Sequence, residues 1–269
     1  MFTARDYCRA GSMEEAWTLY QKKNNIIVGG MQWLKMSNAS YGTLIDLSGL
    51  GLNGIEEDQT EFRIGAMTTL RQLETNEGFN AYTDGAAKKA LSGIVGVQFR
   101  NLATVGGSVA GRYGFSDVCT LLLCLNTYVH LFRAENSSEI LLADFLEMPY
   151  SRDIVTGITV KKVKTKVFYE SVRNTRTDFP ILTCAASLRY DSASDASSPK
   201  ILLSIGARPQ KAVLFIAPAE EAAKDPAAFA ARVAAEIPTG SNVRGSAQYR
   251  SHLVQVLAER AARDLLQSD

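Results

Sequence analysis

Residues 98–117 read QFRNLATVGGSVAGRYGFSD, and the way this stretch is read decides the fold. From Asn101 to Asp117 it holds four glycines and three small hydroxyl residues, interrupted by one bulky pair, Arg112-Tyr113. The apolar run VCTLLLCL (118–125) follows at once. Glycine runs of this kind let another group approach the backbone, because no side chain stands in the way. Thr104-Val105-Gly106-Gly107-Ser108 places a hydroxyl on each side of a glycine pair, and Asp117 follows nine residues after Ser108.

A second glycine pair, Gly29-Gly30, leaves the short strand IIV (26–28). A diphosphate held without a cationic clamp must rely on backbone N–H groups, and two such turns can supply them. Read singly, either pair is a turn; together they suit a nucleotide cofactor, with Asp117 accepting from a ligand hydroxyl. A third glycine motif, GLGLNG (49–54), matches G-x-G-x-x-G literally after the strand TLIDL (43–47). The segment IEEDQTEFRIGA that follows reads as turn and strand. A nicotinamide fingerprint requires a helix at that point. The motif is therefore expected to be a strand connection.

Elsewhere the chain reads as a mixture. Ser12-x-x-Glu15 has the form of a capping box before Met13, Ala16, Trp17 and Tyr20 at helical spacing. TEFRIGA (60–66), TYVHLFR (127–133) and DIVTGITV (153–160) are strands, and short helices are expected after Thr69, over 84–93 and from Ser116. From about 163 three β segments follow, KVKTKVFYESVR, ILTCAASLRY and KILLSIGA, the last two separated by the polar turn DSASDASSPK. An Ala-rich helix over 219–237 and another over about 246–267 close the chain. The layout is α+β, dividing near residue 160.

A chain of 269 residues with 46% hydrophobic and 21% charged residues is an ordinary globular protein. Its formal charge of +1 gives no basic excess for nucleic acid. Its apolar runs are shorter than the roughly 18 residues of a membrane span. The start carries no apolar signal region, and four scattered cysteines without C-x-x-C fit buried thiols in a reducing cytoplasm. Two histidines without ligand-type neighbours leave no metal or acid–base set. Redox chemistry here would need a borrowed cofactor.

Four stretches, in order and at suitable spacing, resemble the flavoprotein (medium) subunits of molybdenum hydroxylases, the xanthine dehydrogenase and carbon monoxide dehydrogenase family. IVGGMQWL (27–34) is similar to the family's first FAD-binding loop, and QFRNLATVGGSVAGRYGFSD to the second. RIGAMTTLRQLE (63–74) resembles the strand and helix between them, and ESVRNTRTDFPIL (170–182) the opening of the C-terminal flavoprotein domain.

The resemblance implies a two-lobed FAD-binding domain over 1–160, with lobes of about 1–55 and 56–160. It implies a C-terminal domain over 161–269 with a three-stranded antiparallel sheet and helices. By it, Val28, Gly29, Gly30, Met31, Gln32, Trp33 and Leu34 wrap the diphosphate on one side. Thr104, Val105, Gly106, Gly107 and Ser108 do so on the other, with Asp117 on a cofactor hydroxyl. Ile94 and Ile154 stand where the family makes apolar contacts to the flavin or adenine, and Arg100 and Asn101 would set the loop geometry.

The implied partners are a large molybdopterin-binding subunit and a small [2Fe–2S] subunit, as a dimer of heterotrimers, with NAD a candidate acceptor. No side chain of this chain is then a catalytic acid, base or nucleophile. Departures are Met31-Gln32 for the usual Thr-Asp, Ser108 for Asn, Arg112-Tyr113-Gly114 for a Pro-containing stretch, and Glu170 where some relatives carry Lys. These keep two alternatives open: a stand-alone FAD reductase of the same fold, and a scaffold that has lost its flavin. A nicotinamide-only dehydrogenase rests on GLGLNG and is the weakest.

Overall fold

The computed structural model describes residues 1–134, 136–190 and 199–266. The polar turn expected at 191–200 therefore lies almost wholly outside the described residues. The chain begins β1 (Thr3–Arg9), α1 (Met13–Tyr20), β2 (Ile26–Val28), β3 (Ser40–Asp46), β4 (Ile55–Glu57) and β5 (Glu61–Gly65). Helices α2 (Leu70–Thr75), α3 (Glu77–Tyr82), α4 (Ala86–Ser92), α5 (Val97–Arg100), α6 (Val105–Gly111) and α7 (Asp117–Leu123) follow. Then come β6 (Thr127–Arg133), β7 (Asn136–Leu141), α8 (Leu142–Glu147), β8 (Ile154–Lys161), β9 (Thr165–Val172), β10 (Leu182–Arg189), β11 (Lys200–Gly206) and β12 (Val213–Pro218). Helices α9 (Ala219–Lys224), α10 (Pro226–Glu236) and α11 (Ala247–Leu266) end it.

These elements pack as two compact units. The first comprises Met1–Leu73, Val97–Gly111 and Thr127–Val160; the second comprises Glu74–Gly96, Arg112–Asn126 and Lys161–Asp269. In the first unit a parallel sheet has the order β1-β3-β2, and a five-stranded sheet the order β4-β5-β8-β6-β7. The Ser12 hydroxyl accepts from Glu15 N–H at 3.1 Å, and the Glu15 carboxylate accepts from Gly11 N–H at 2.7 Å, so the capping signal does set the start of α1. Ala16 of α1 then closes on Ala10, Ile45, Leu47 and Ile154 in a small core. Arg152 donates to the carbonyls of Tyr20, Lys22, Lys23 and Asn25 and lies 4.3 Å over the Tyr20 ring. It thereby holds the turn that leads into β2.

GLGLNG is a turn and a short pairing segment, with no helix at Gly54. The Leu52 and Gly54 carbonyls accept from Met67 and Gly65, and Gly54 has φ 145°, a conformation that favours glycine. It is the strand connection the sequence suggested.

In the second unit the antiparallel sheet has the order β12-β11-β10-β9, four strands where three were expected. The added strand, VLFIAP, lies between KILLSIGA and the expected Ala-rich helix; it pairs with β11 as an edge and runs straight into α9. The Ala-rich helix is in fact two, broken at Asp225, whose side chain accepts from Ala227 and Ala228 while Pro226 starts α10. β10 is buried along almost its whole length because both of its faces are covered. Leu182, Cys184, Ala186 and Leu188 meet Leu253, Leu257, Ala261 and their neighbours on α11. On the alternate residues, Thr183 bonds Thr120 of α7 at 3.0 Å and Ser187 donates to the Cys124 carbonyl. On α11, Tyr249 is 44% exposed. Arg250 is buried, donating to the Ile181, Gly240 and Gly245 carbonyls and to Asn242.

Candidate functional site: two glycine stretches and a buried carboxylate

Val28 is the buried end of β2, and the chain leaves it through Gly29-Gly30 into a turn closed by the 3₁₀ residues Leu34–Met36. Met31 has φ 56°, an uncommon left-handed conformation for a residue with a β-carbon. The N–H groups of Gly30, Met31 and Gln32 donate to no protein acceptor among the described residues. The Gln32 amide folds back onto the Gly30 carbonyl at 2.7 Å, and the Trp33 ring packs on Phe99 with centroids 5.1 Å apart. A turn presenting consecutive unused N–H groups is suited to an anion.

The second stretch differs from the open loop expected. Val105–Gly111 is the helix α6, and its first donors are already engaged. Val105 N–H donates to the Thr68 carbonyl at 2.8 Å and Gly106 N–H to the Ala66 carbonyl at 2.9 Å. Gly107 N–H reaches the Thr104 hydroxyl, and Ser108 bonds the Thr104 carbonyl with both N–H and hydroxyl. The glycines have separate tasks. A β-carbon on Gly106 would stand 2.5 Å from that of Ala66, whereas one on Gly107 would meet only the Thr104 hydroxyl, at 3.0 Å, and faces outward.

The two stretches are in contact. A β-carbon on Gly30 would fall 1.7 Å from the Leu102 carbonyl oxygen, and one on Gly29 would fall 2.6 Å from the Thr104 hydroxyl. The first turn therefore supplies open donors, and the second supplies a bare helical surface with the Thr104 and Ser108 hydroxyls beside it. Of these glycines only Gly107 would send a side chain outward, so its bare surface allows the close approach that a diphosphate needs. Ile154 belongs to the same unit but is 1% exposed in the core with Ala10 and Ile45.

Asp117 and Ile94 belong to the second unit. Asp117 is the first residue of α7, whose cap Ser116 accepts from Cys119 N–H. Its Oδ1 accepts from the Tyr169 hydroxyl and from the Arg173 guanidinium, all three groups being buried or nearly so. Burial pushes the Asp117 carboxyl above its ordinary range, while Arg173 and Tyr169 pull it back. Burial and the adjacent carboxylate push the Tyr169 phenol well up, so it remains a proton-bearing donor. Ile94, half-buried, sits at the turn after α4, next to Gly93, over which the Arg173 guanidinium packs.

Arg112 has φ 45° where α6 ends, and Tyr113, 37% exposed, stacks on Phe115 at 5.1 Å. Phe115 meets Phe179 edge-on at 4.6 Å, and Arg244 covers Phe179 at 4.7 Å. Glu170 pairs with Arg260 at 2.6 Å. Tyr169 and Arg173 were not singled out in the sequence; the one signal for the latter is the Arg of ESVRNTRTDFPIL. Among the described residues no group of three or more His, Cys, Asp or Glu is placed to hold a metal ion. No described helix is long and apolar enough to cross a membrane.

Residues 1–164 match the family described as the FAD binding domain in molybdopterin dehydrogenase, and residues 167–265 match the CO dehydrogenase flavoprotein C-terminal domain. The chain therefore belongs to the FAD-binding medium-subunit family of the molybdenum hydroxylases. It is 24% identical to the glyceraldehyde dehydrogenase medium chain of Sulfolobus acidocaldarius, over 96% of this chain and 97% of that one. It is 26% identical to the carbon monoxide dehydrogenase medium chain of Afipia carboxidovorans, over 95% and 94%. In fold it matches the Cu,Mo-CO dehydrogenase crystal structure with a TM-score of 0.82 at 23% identity, covering 97% of each chain.

Proposed function

We propose that this chain is the FAD-carrying electron-transfer subunit of a cytoplasmic, multi-subunit molybdenum hydroxylase. In this reading a large molybdopterin-binding partner oxidises the substrate, a small [2Fe–2S] partner relays the electrons, and an acceptor such as NAD collects them at this subunit. FAD, when bound, supplies the redox chemistry, and the protein supplies position and electrostatics. The N–H groups of Gly30, Met31 and Gln32 hold the diphosphate from one side, with Val28, Gly29, Trp33 and Leu34 shaping that turn. Thr104, Gly107 and Ser108 meet it from the other side, while Val105 and Gly106 fix α6 in place. Asp117 accepts from a cofactor hydroxyl, and Ile94 offers an apolar contact. The domain boundary in this reading falls near residue 160.

One observation carries the proposal: the turn with three unused donors packs against Leu102–Thr104, the residues that lead directly into the helix bearing the bare Gly107 surface. Purification of the chain followed by a visible spectrum and an FAD titration tests it. A flavin spectrum, or stoichiometric uptake, is expected. A colourless chain that takes up no FAD would sink the reading. Co-purification with an iron–sulfur chain and a molybdopterin chain is expected, and its absence would favour a stand-alone FAD reductase.

A further inference from the structure

The Arg173 guanidinium, just beyond β9, is engaged on several sides. One terminal nitrogen and the Tyr169 hydroxyl converge on Asp117 Oδ1; the other terminal nitrogen donates to the Asp178 carbonyl at 2.6 Å, and Nε to the Ser171 hydroxyl at 3.2 Å. Its flat face lies on Gly93, where even a β-carbon would stand 3.3 Å from Cζ. One cation thus holds both the first residue of α7 and the turn bearing Ile94.

The side chains of Asp117 and Arg173 are 5% and 9% exposed. A buried ion pair is a poor way to gain stability, since removing two charges from water costs much of what their attraction returns. An apolar pair of similar volume would hold the same elements together. The pair does fix geometry: both donors take the same carboxylate oxygen, and neither takes Oδ2.

We propose that Tyr169 and Arg173 are positioning residues for the cofactor, fixing Asp117 in one orientation so that its second oxygen can accept from a ligand hydroxyl, and fixing the Gly93–Ile94 turn beside it. This rests on the FAD reading above. In it the flavoprotein C-terminal domain builds the cofactor site through a residue of the FAD-binding domain, without touching the cofactor there itself.

A double-mutant cycle on FAD affinity tests this, read by flavin fluorescence and by the circular dichroism of the bound flavin. Tyr169→Phe removes one hydroxyl and leaves the packing, so it is the variant on which the cycle rests; Arg173→Met and Arg173→Lys extend it. Tyr169→Phe is expected to weaken FAD about fivefold and Arg173→Met more, with part of the loss restored by Arg173→Lys. In an Asp117→Asn background, Tyr169→Phe should have no further effect on affinity or on the flavin dichroism. Fully additive losses, or an unchanged dissociation constant in Tyr169→Phe, would overturn the proposal while leaving FAD binding intact. A wild-type chain that takes up no FAD defeats the FAD reading itself, and this one with it.

Discussion

Gly29–Leu34 and Thr104–Gly111 share a glycine pair and are opposite in construction. Both carry a glycine pair beside a strand or turn. In the first, the backbone donors are open and a methionine takes a left-handed conformation. In the second, the donors are tied into a helix and to the Ala66 and Thr68 carbonyls. Glycine in the first stretch allows close approach of the Leu102 backbone; in the second it is divided between packing at Gly106 and a bare surface at Gly107. A glycine-rich string therefore reports that something comes close without saying whether it is ligand or protein.

Substitutions separate these tasks. Gly30→Ala has the largest expected effect, because the new β-carbon would lie inside the Leu102 carbonyl. A loss of about 3 kcal/mol or more is expected in urea unfolding, and a variant within error of wild type would show that the two stretches are not truly in contact. Saturating FAD acts in the opposite direction. At about 100 times its dissociation constant it should raise unfolding free energy by about 2.7 kcal/mol, seen as an upward shift of the thermal midpoint.

Gly106→Ala comes next, at about 2 kcal/mol, since Ala66 must be displaced, while the helix propensity of Ala returns part of the loss. The smallest effect on stability is the most informative. Gly107→Val should stay within about 1 kcal/mol of wild type yet lose FAD, because its side chain enters the open surface. Full flavin occupancy in that variant would remove Gly107 from the cradle.

Much of this was legible in the residues, for physical reasons that differ by element. Ser12 and Glu15 act locally, so their spacing alone locates α1. The literal GxGxxG at 49–54 was rightly set aside because a strand follows it. The strands missed, β1, β4, β7 and β12, are all sheet edges, and TARDYCR, IEE and NSSEIL are largely exposed and lack the apolar alternation that marks a half-buried strand. β12 is apolar instead, but VLFIAP also lacks a polar–apolar alternation and runs without a turn into α9.

Within the site, the glycine pairs were visible, but the helical state of 105–111 was not. Two adjacent glycines argue against a helix, and only the tertiary bonds from Val105 and Gly106 override that preference. Tyr169 and Arg173 were invisible because their partner Asp117 lies 52 and 56 residues away.

The bonds from Val105 and Gly106 to the Thr68 and Ala66 carbonyls join protein groups alone. If FAD sits there as proposed, that half of its seat is held by bonds within the protein, and little chain freedom remains to be lost when it is filled. Stripping the flavin should leave a chain that keeps its shape and takes the cofactor back in a single rapid phase. Occupancy would then follow supply, so that subunits made in a flavin-poor cell could be stored empty and brought into service later.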